Sequence, residues 1–145
     1  MDVYTEIEIE ASTAEVWQVL TDFPGYADWN PVIRRIRGRA QVGQKIVLGL
    51  AAGPVTLRID AEVVIADPER ELRWVGPAFA PMRRIASGSH YFQLTPLGDA
   101  SCRLIHGEQF SGLLVPTQLP PVENRIQRMY EGLNRALARR AERSW

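Results

Sequence analysis

Residues 120–143 read PPVENRIQRMYEGLNRALARRAER. Proline is tolerated at the first helical position, where a backbone N–H would have no intrahelical partner, so Pro120-Pro121 opens a helix. Val122, Ile126, Met129, Tyr130, Leu133 and Leu137 then recur at the spacing that places them on one stripe. The spacing predicts a helix from about residue 121 to 143, roughly 34 Å long at 1.5 Å per residue. Its other face carries Arg125, Arg128, Arg135, Arg139, Arg140 and Arg143, interrupted by Glu123, Glu131 and Glu142. Those glutamates favour a solvated face over one that touches anionic lipid headgroups. Gly132 lies beside the stripe, where either a close approach of sheet or ligand or a tolerated surface glycine accounts for it.

Working outward from this rod, the rest of the chain reads mostly as strands. In residues 2–10, Val3, Thr5, Ile7 and Ile9 alternate with Tyr4, Glu6, Glu8 and Glu10, the pattern of a half-buried strand. Ser12-Thr13-Ala14-Glu15 is a capping box, and Val16, Trp17, Val19 and Leu20 continue it at helical spacing. Pro24 and Gly25 end that helix, and a second short turn leads to Trp29-Asn30-Pro31. Strands are predicted at 32–39, 44–50, 54–66, 71–76, 88–95 and 101–110, broken by glycine- and proline-bearing turns. Along 54–66 the inner set is Val55, Leu57, Ile59, Ala61, Val63 and Ile65. About seven antiparallel strands must cover their apolar face, and only the C-terminal helix is long enough to do so. A long curved sheet wrapped on one helix leaves an internal cavity, the place to seek function.

Composition narrows the class. The chain has 145 residues, 46% hydrophobic and 23% charged, a length that suits one domain spanning 1–145. Seventeen basic and seventeen acidic side chains cancel, which argues against a generally basic nucleic-acid binder. Sixteen of the basic residues are arginine and one, Lys45, is lysine, which reads as coding bias before function. A single cysteine, Cys102, excludes an intramolecular disulfide framework and a multi-cysteine zinc site. The N-terminus carries acids where a signal peptide carries basic and then apolar residues, and no run reaches the roughly 20 apolar residues of a membrane span. A soluble, cytoplasmic protein is expected. The Gly49–Gly53 stretch lacks the lysine and hydroxyl residue of a phosphate loop.

The most polar spot on an otherwise apolar face involves His90, His106 and Glu108. The inner set of the last strand is Cys102, Leu104, His106, Glu108 and Phe110, and that of the strand before it His90, Phe92 and Leu94. If Leu94 pairs with Cys102, His90 stands opposite His106, a register that a bulge at the turn would shift. Three readings of the cluster are open. Its members are satisfied polar groups at one end of the core. They orient a hydroxyl, carbonyl or carboxylate of an apolar ligand. Or they are catalytic, with Glu108 orienting or protonating a histidine that enolises or dehydrates a ketone. Two histidines and a glutamate make a metal site on paper, but nothing in the spacing singles it out, and no metal is expected.

Core packing suits Trp17 and Trp29, the pocket suits Trp74, and Trp145 is expected to be exposed. The connection 76–88 carries Phe79, Met82 and Ile85, which need cover. With Phe110, Leu113, Leu114 and Val115 they form either a lid over a pocket mouth or ordinary packing on the end of the long helix.

The element order, the segment Phe23-Pro24-Gly25-Tyr26-Ala27-Asp28-Trp29-Asn30-Pro31 and the run His106-Gly107-Glu108-Gln109-Phe110-Ser111-Gly112-Leu113-Leu114 resemble the START-related, or SRPBCC, superfamily. That superfamily includes the birch-pollen allergen family, START lipid-transfer domains and polyketide cyclases. The resemblance covers essentially the whole chain and is nearest to bacterial stand-alone domains grouped as polyketide cyclase/dehydrase and lipid transport. It implies an α+β helix-grip fold, a curved seven-stranded sheet gripping the long helix around an apolar pocket. One scaffold hosts carriers, receptors, cyclases and oxygenase subunits there, so it leaves the chemistry open.

The first expectation is binding or transport of a small hydrophobic, lipid-, polyketide- or aromatic-like ligand by a monomer or homodimer, without cofactor, nucleic acid or stable membrane insertion. The ligand is expected to touch Trp74, Phe92, Leu104, Phe110, Phe79, Met82, Ile126, Met129, Tyr130 and Leu133 beside His90, His106 and Glu108. The alternative is a cofactor-free cyclase or dehydratase using His90, His106 and Glu108. A protein-interaction module is the third possibility.

Overall fold

The structure, a computed structural model, describes residues 1–143, with only the backbone at Arg143. Trp145 and the Arg143 side chain, for which the sequence carries expectations, lie outside the described residues. Strand β1 (Asp2–Ile9) leads to helix α1 (Thr13–Thr21) and a 3₁₀ turn (Phe23–Asp28). Then follow β2 (Ile33–Arg37), β3 (Lys45–Ala52), β4 (Val55–Asp67), β5 (Glu71–Gly76), a 3₁₀ turn (Ala80–Arg84), β6 (Ser87–Gly98), β7 (Ser101–Ser111) and helix α2 (Pro120–Arg143). The seven strands form one antiparallel sheet in the order β1-β7-β6-β5-β4-β3-β2. It curls into a half-barrel around α2, the helix-grip fold that the sequence led us to expect.

Local chemistry explains the early elements. Val3, Thr5 and Ile9 of β1 are buried while Tyr4, Glu6 and Glu8 face water. The capping box closes: Glu15 N–H donates to Ser12 Oγ at 3.1 Å, and Ser12 N–H donates to Glu15 Oε1 at 2.9 Å. Tyr26 donates its hydroxyl to the Leu20 carbonyl at 2.6 Å and meets Phe23 edge-on, which folds the 3₁₀ turn back under α1. Asn30 Oδ1 accepts the backbone N–H groups of Val32 and Ile33 and so starts β2. Trp17 and Trp29 are half-buried against the core.

Three expectations are corrected. First, β4 holds a bulge: Val63 pairs with Trp74, but Ile65 pairs with Arg73 and Ala66 with Leu72. The extra residue reverses the alternation, so Ile65 leaves the inner set and Ala66 packs on the core instead. Second, the β6–β7 register differs by two residues from the expected pairing, with a one-residue irregularity between Pro96 and Gly98 beside the turn. His90 stands opposite Glu108, Phe92 opposite His106 and Leu94 opposite Leu104. A shift of two keeps every side chain on its face. Third, the apolar stripe of α2 is core only along its C-terminal half. Tyr130, Leu133, Leu137 and Ala141 are buried, whereas Val122 and Met129 are 39% and 37% exposed.

The helix packs mainly on β1, flanked by α1 and β7. The far end of β4 therefore stays open, and Val55, Leu57 and Ile59 of the inner set are exposed. At Gly132 a Cβ would meet nothing nearer than an Arg135 guanidinium nitrogen at 3.8 Å, so no close approach demands this glycine. No helix among the described residues is long and apolar enough to cross a membrane.

Candidate ligand site

Pleating turns His90 of β6, His106 and Glu108 of β7 and Trp74 of β5 toward α2, which brings Tyr130 and Asn134 down onto them from successive turns. Hydrogen-bond partners then fix the protons one after another. Thr5 Oγ1 donates to the His106 carbonyl at 2.6 Å. A hydroxyl has one hydrogen to give, so the same oxygen accepts from Asn134 Nδ2 at 2.8 Å. Asn134 Oδ1 therefore faces His106 Nδ1 at 2.8 Å, and Nδ1 carries the hydrogen.

His106 is wholly buried. Burial, reinforced by neighbouring His90, holds its pKa well below the usual 6.5, although the bond to Asn134 pulls the other way. The ring is neutral and its Nε2 bare. His90 Nε2, 2.8 Å away, is consequently the donor. His90 Nδ1 looks toward Glu108 Oε1 at 3.3 Å and the Tyr130 hydroxyl at 3.4 Å. Tyr130 donates its hydroxyl hydrogen to Glu108 Oε1. Burial and then the Glu108 charge keep that phenol well above its usual pKa of 10, so it stays a donor.

Aromatic contacts hold the rings in place. Phe92 and Tyr130 each stack on His106 with centroids at 4.4 Å, and Trp74 stacks on His90 at 4.9 Å. Gly88 gives Glu108 its room: a Cβ there would overlap Oε2 and lie 3.3 Å from the carboxyl carbon.

These groups form the polar end of a cavity of about 450 Å³ between the sheet and α2. The sheet supplies Val32, Ile33, Leu48, Leu50, Leu57, Ile59, Ala61 and Trp74, and α2 supplies Ile126, Met129 and Tyr130. Glu108 is the one carboxylate in this lining, and among the described residues no lysine or arginine joins it.

A profile of polyketide cyclase / dehydrase and lipid transport proteins matches residues 1–142. The chain belongs to this family. Solved structures share the fold of this family member. A START superfamily protein from Mycobacterium smegmatis matches with a TM-score of 0.79 and 19% identity over 99% of both chains. Zhui aromatase/cyclase from Streptomyces sp. R1128 gives 0.78 and 20%, covering 99% of this chain and 94% of that one. The di-domain ARO/CYC BexL from the BE-7585A biosynthetic pathway gives 0.77 and 13%, covering 98% of this chain and 46% of that one. At such identities the likeness speaks for the fold alone. No curated protein matches the chain.

In this family member, Trp74, Phe110, Ile126, Met129 and Tyr130 line the cavity together with His90 and Glu108. Phe92, Leu104 and Leu133 are buried outside its lining, and so is His106, which lies behind His90. Phe79 and Met82 are 65% and 47% exposed and stand outside the lining. Of the segments weighed as a lid, Val115 and the two ends of the 76–88 connection (Gly76 and Pro77, Ala86 to Gly88) reach the cavity, while Leu113 and Leu114 project into solvent. The chain reading missed Thr5 and Asn134 as members of the polar network. Asn134 had a signal, a polar residue between Leu133 and Leu137 on the buried stripe. Cys102 is a free, buried thiol that burial pushes up to about 11. Among the described residues no group of three or more His, Cys, Asp or Glu is placed to hold a metal ion.

The buried neutral imidazole carries a pH dependence. Its native pKa lies below its unfolded value, so the unfolded chain takes up the proton first. The stability it contributes is complete above about pH 6.5 and falls as the pH drops from there toward the lowered native value, by up to about 1.4 kcal/mol per pH unit. Denaturant unfolding of wild type and His106→Gln at pH values above and below this point should show wild type losing its advantage on the acid side.

Proposed function

We propose that the chain binds a small, mainly apolar molecule in the cavity between α2 and the sheet, with one polar group of that molecule turned toward Glu108, Tyr130 and His90. The observation that carries this reading is the cavity itself. Its volume of about 450 Å³ falls in the range of small-molecule sites, and its walls are apolar except at one end. Ile126 is the place to test it, because it lines the cavity from a half-buried position on α2. Ile126→Trp fills the hollow from a position at the edge of the core. It is expected to weaken binding of apolar aromatic probes by at least about tenfold, roughly 1.4 kcal/mol, with little change in thermal midpoint. Calorimetric titration reads the first quantity and thermal unfolding the second. Unchanged affinity would show that the probes bind elsewhere.

A second reading is acid–base chemistry at the same place, as in a cyclase or dehydratase. The 3.3 Å approach of His90 Nδ1 to Glu108 Oε1 at the cavity wall favours it, since one group can take a proton while the other gives one. On this reading His90→Gln and Glu108→Gln each abolish turnover of a polyketone substrate while apolar probes still bind.

A further inference from the structure

We infer that the ligand of this cavity is an uncharged apolar molecule bearing a hydroxyl group, and that the hydroxyl donates its hydrogen to Glu108. This rests on the binding reading above and deepens it. The hydrogens of the network around Glu108 are already committed. Thr5 gives its own to a carbonyl, Asn134 gives one to Thr5, and His106 gives Nδ1–H to Asn134. His90 gives Nε2–H to His106, and Tyr130 gives its hydroxyl hydrogen to Glu108. A proton between His90 Nδ1 and Glu108 Oε1 is likewise directed from one to the other across their 3.3 Å contact.

Around Glu108 and Tyr130 what remains for a guest is lone pairs, and the Trp74 indole N–H, stacked beside His90, is a donor left over for the guest's own oxygen. Glu108 Oε2, in the space that Gly88 leaves, takes no hydrogen bond from the described residues, and the Tyr130 oxygen can accept one more. A ketone or ether oxygen placed there sets acceptor against acceptor. A carboxylate fares worse, because it meets Glu108 with no lysine or arginine of the described lining to balance it. Ser87 also borders the cavity, but it lies about 10 Å along β6 from His90 and pairs with Ser111. A neutral hydroxyl supplies the missing hydrogen and adds no charge.

The test uses three probes with one apolar body: 2-naphthol, 2-methoxynaphthalene and 2-naphthoate. Each is titrated calorimetrically near neutral pH into wild type and Glu108→Gln. In wild type the naphthol is expected to bind at least about tenfold more tightly than the methyl ether, and the naphthoate most weakly. In Glu108→Gln, whose amide can donate as well as accept, the gap between naphthol and ether should shrink to about threefold or less and the naphthoate should gain. If the ether or the naphthoate binds wild type as tightly as the naphthol, the hydroxyl inference is overturned and the binding reading stands. If none of the three binds, the binding reading falls and takes this inference with it.

Discussion

Asn134→Leu is expected to lower the unfolding free energy by about 3 kcal/mol, although leucine matches the size and apolarity of the surrounding stripe. Asn134 is 1% exposed and holds two groups at once, His106 Nδ1–H through Oδ1 and Thr5 Oγ1 through Nδ2. Leucine leaves the buried N–H without an acceptor, and an orphaned buried donor costs about 1–3 kcal/mol by itself. The effect also travels. With Oδ1 gone, nothing fixes the hydrogen on His106 Nδ1, so nothing obliges His90 Nε2 to donate. Long-range proton–nitrogen spectra of the imidazoles report this directly. Wild type should show Nδ1–H at His106 and Nε2–H at His90, and the variant should lose that pattern. A variant as stable as wild type, with unchanged imidazole resonances, would remove Asn134 from the network.

Gly88→Ala should have the largest effect on the site. The new Cβ falls on Glu108 Oε2 and 3.6 Å from Phe110, and the carboxylate is the group with space to move. Swinging it aside breaks its bond from Tyr130 and its approach to His90. The expected result is a loss of at least about tenfold in affinity for hydroxyl-bearing probes, from one lost charge-assisted hydrogen bond. Apolar hydrocarbons should bind nearly as before, because Trp74 and Ile126 are untouched. Calorimetric titration of the matched probes separates the two classes, and equal losses for both would point to a collapsed cavity instead.

Much of this architecture was legible in the chain, and the boundary of legibility is physical. The alternation of Val3 to Ile9, the Ser12–Glu15 box and the stripe ending at Leu137 are local patterns, and each element formed where its pattern lay. The gathering of His90, His106 and Glu108 also followed, because strand alternation alone puts them on one face. Register did not follow, since the tightness of the turn and one irregular residue near Leu97 set it together, and strand alternation reveals neither. Ile65 was misplaced for the same reason, by one unpaired residue in β4. The partial cover by α2 was hidden because a helical stripe shows which face is apolar but not how much of the sheet lies beneath it. Asn134 was overlooked because its meaning comes from partners on β1 and β7, 129 and 28 residues away in sequence.

The unequal seating of α2 has a kinetic consequence. Backbone amides near Leu133, Leu137 and Ala141 are shielded by the core and should exchange with deuterium only when the whole domain opens. Those of the preceding turns, where Val122 and Met129 touch water, should exchange through local fraying. If the hollow takes a guest as proposed, loosening of these few turns lets it widen for entry and exit without the domain ever approaching denaturation.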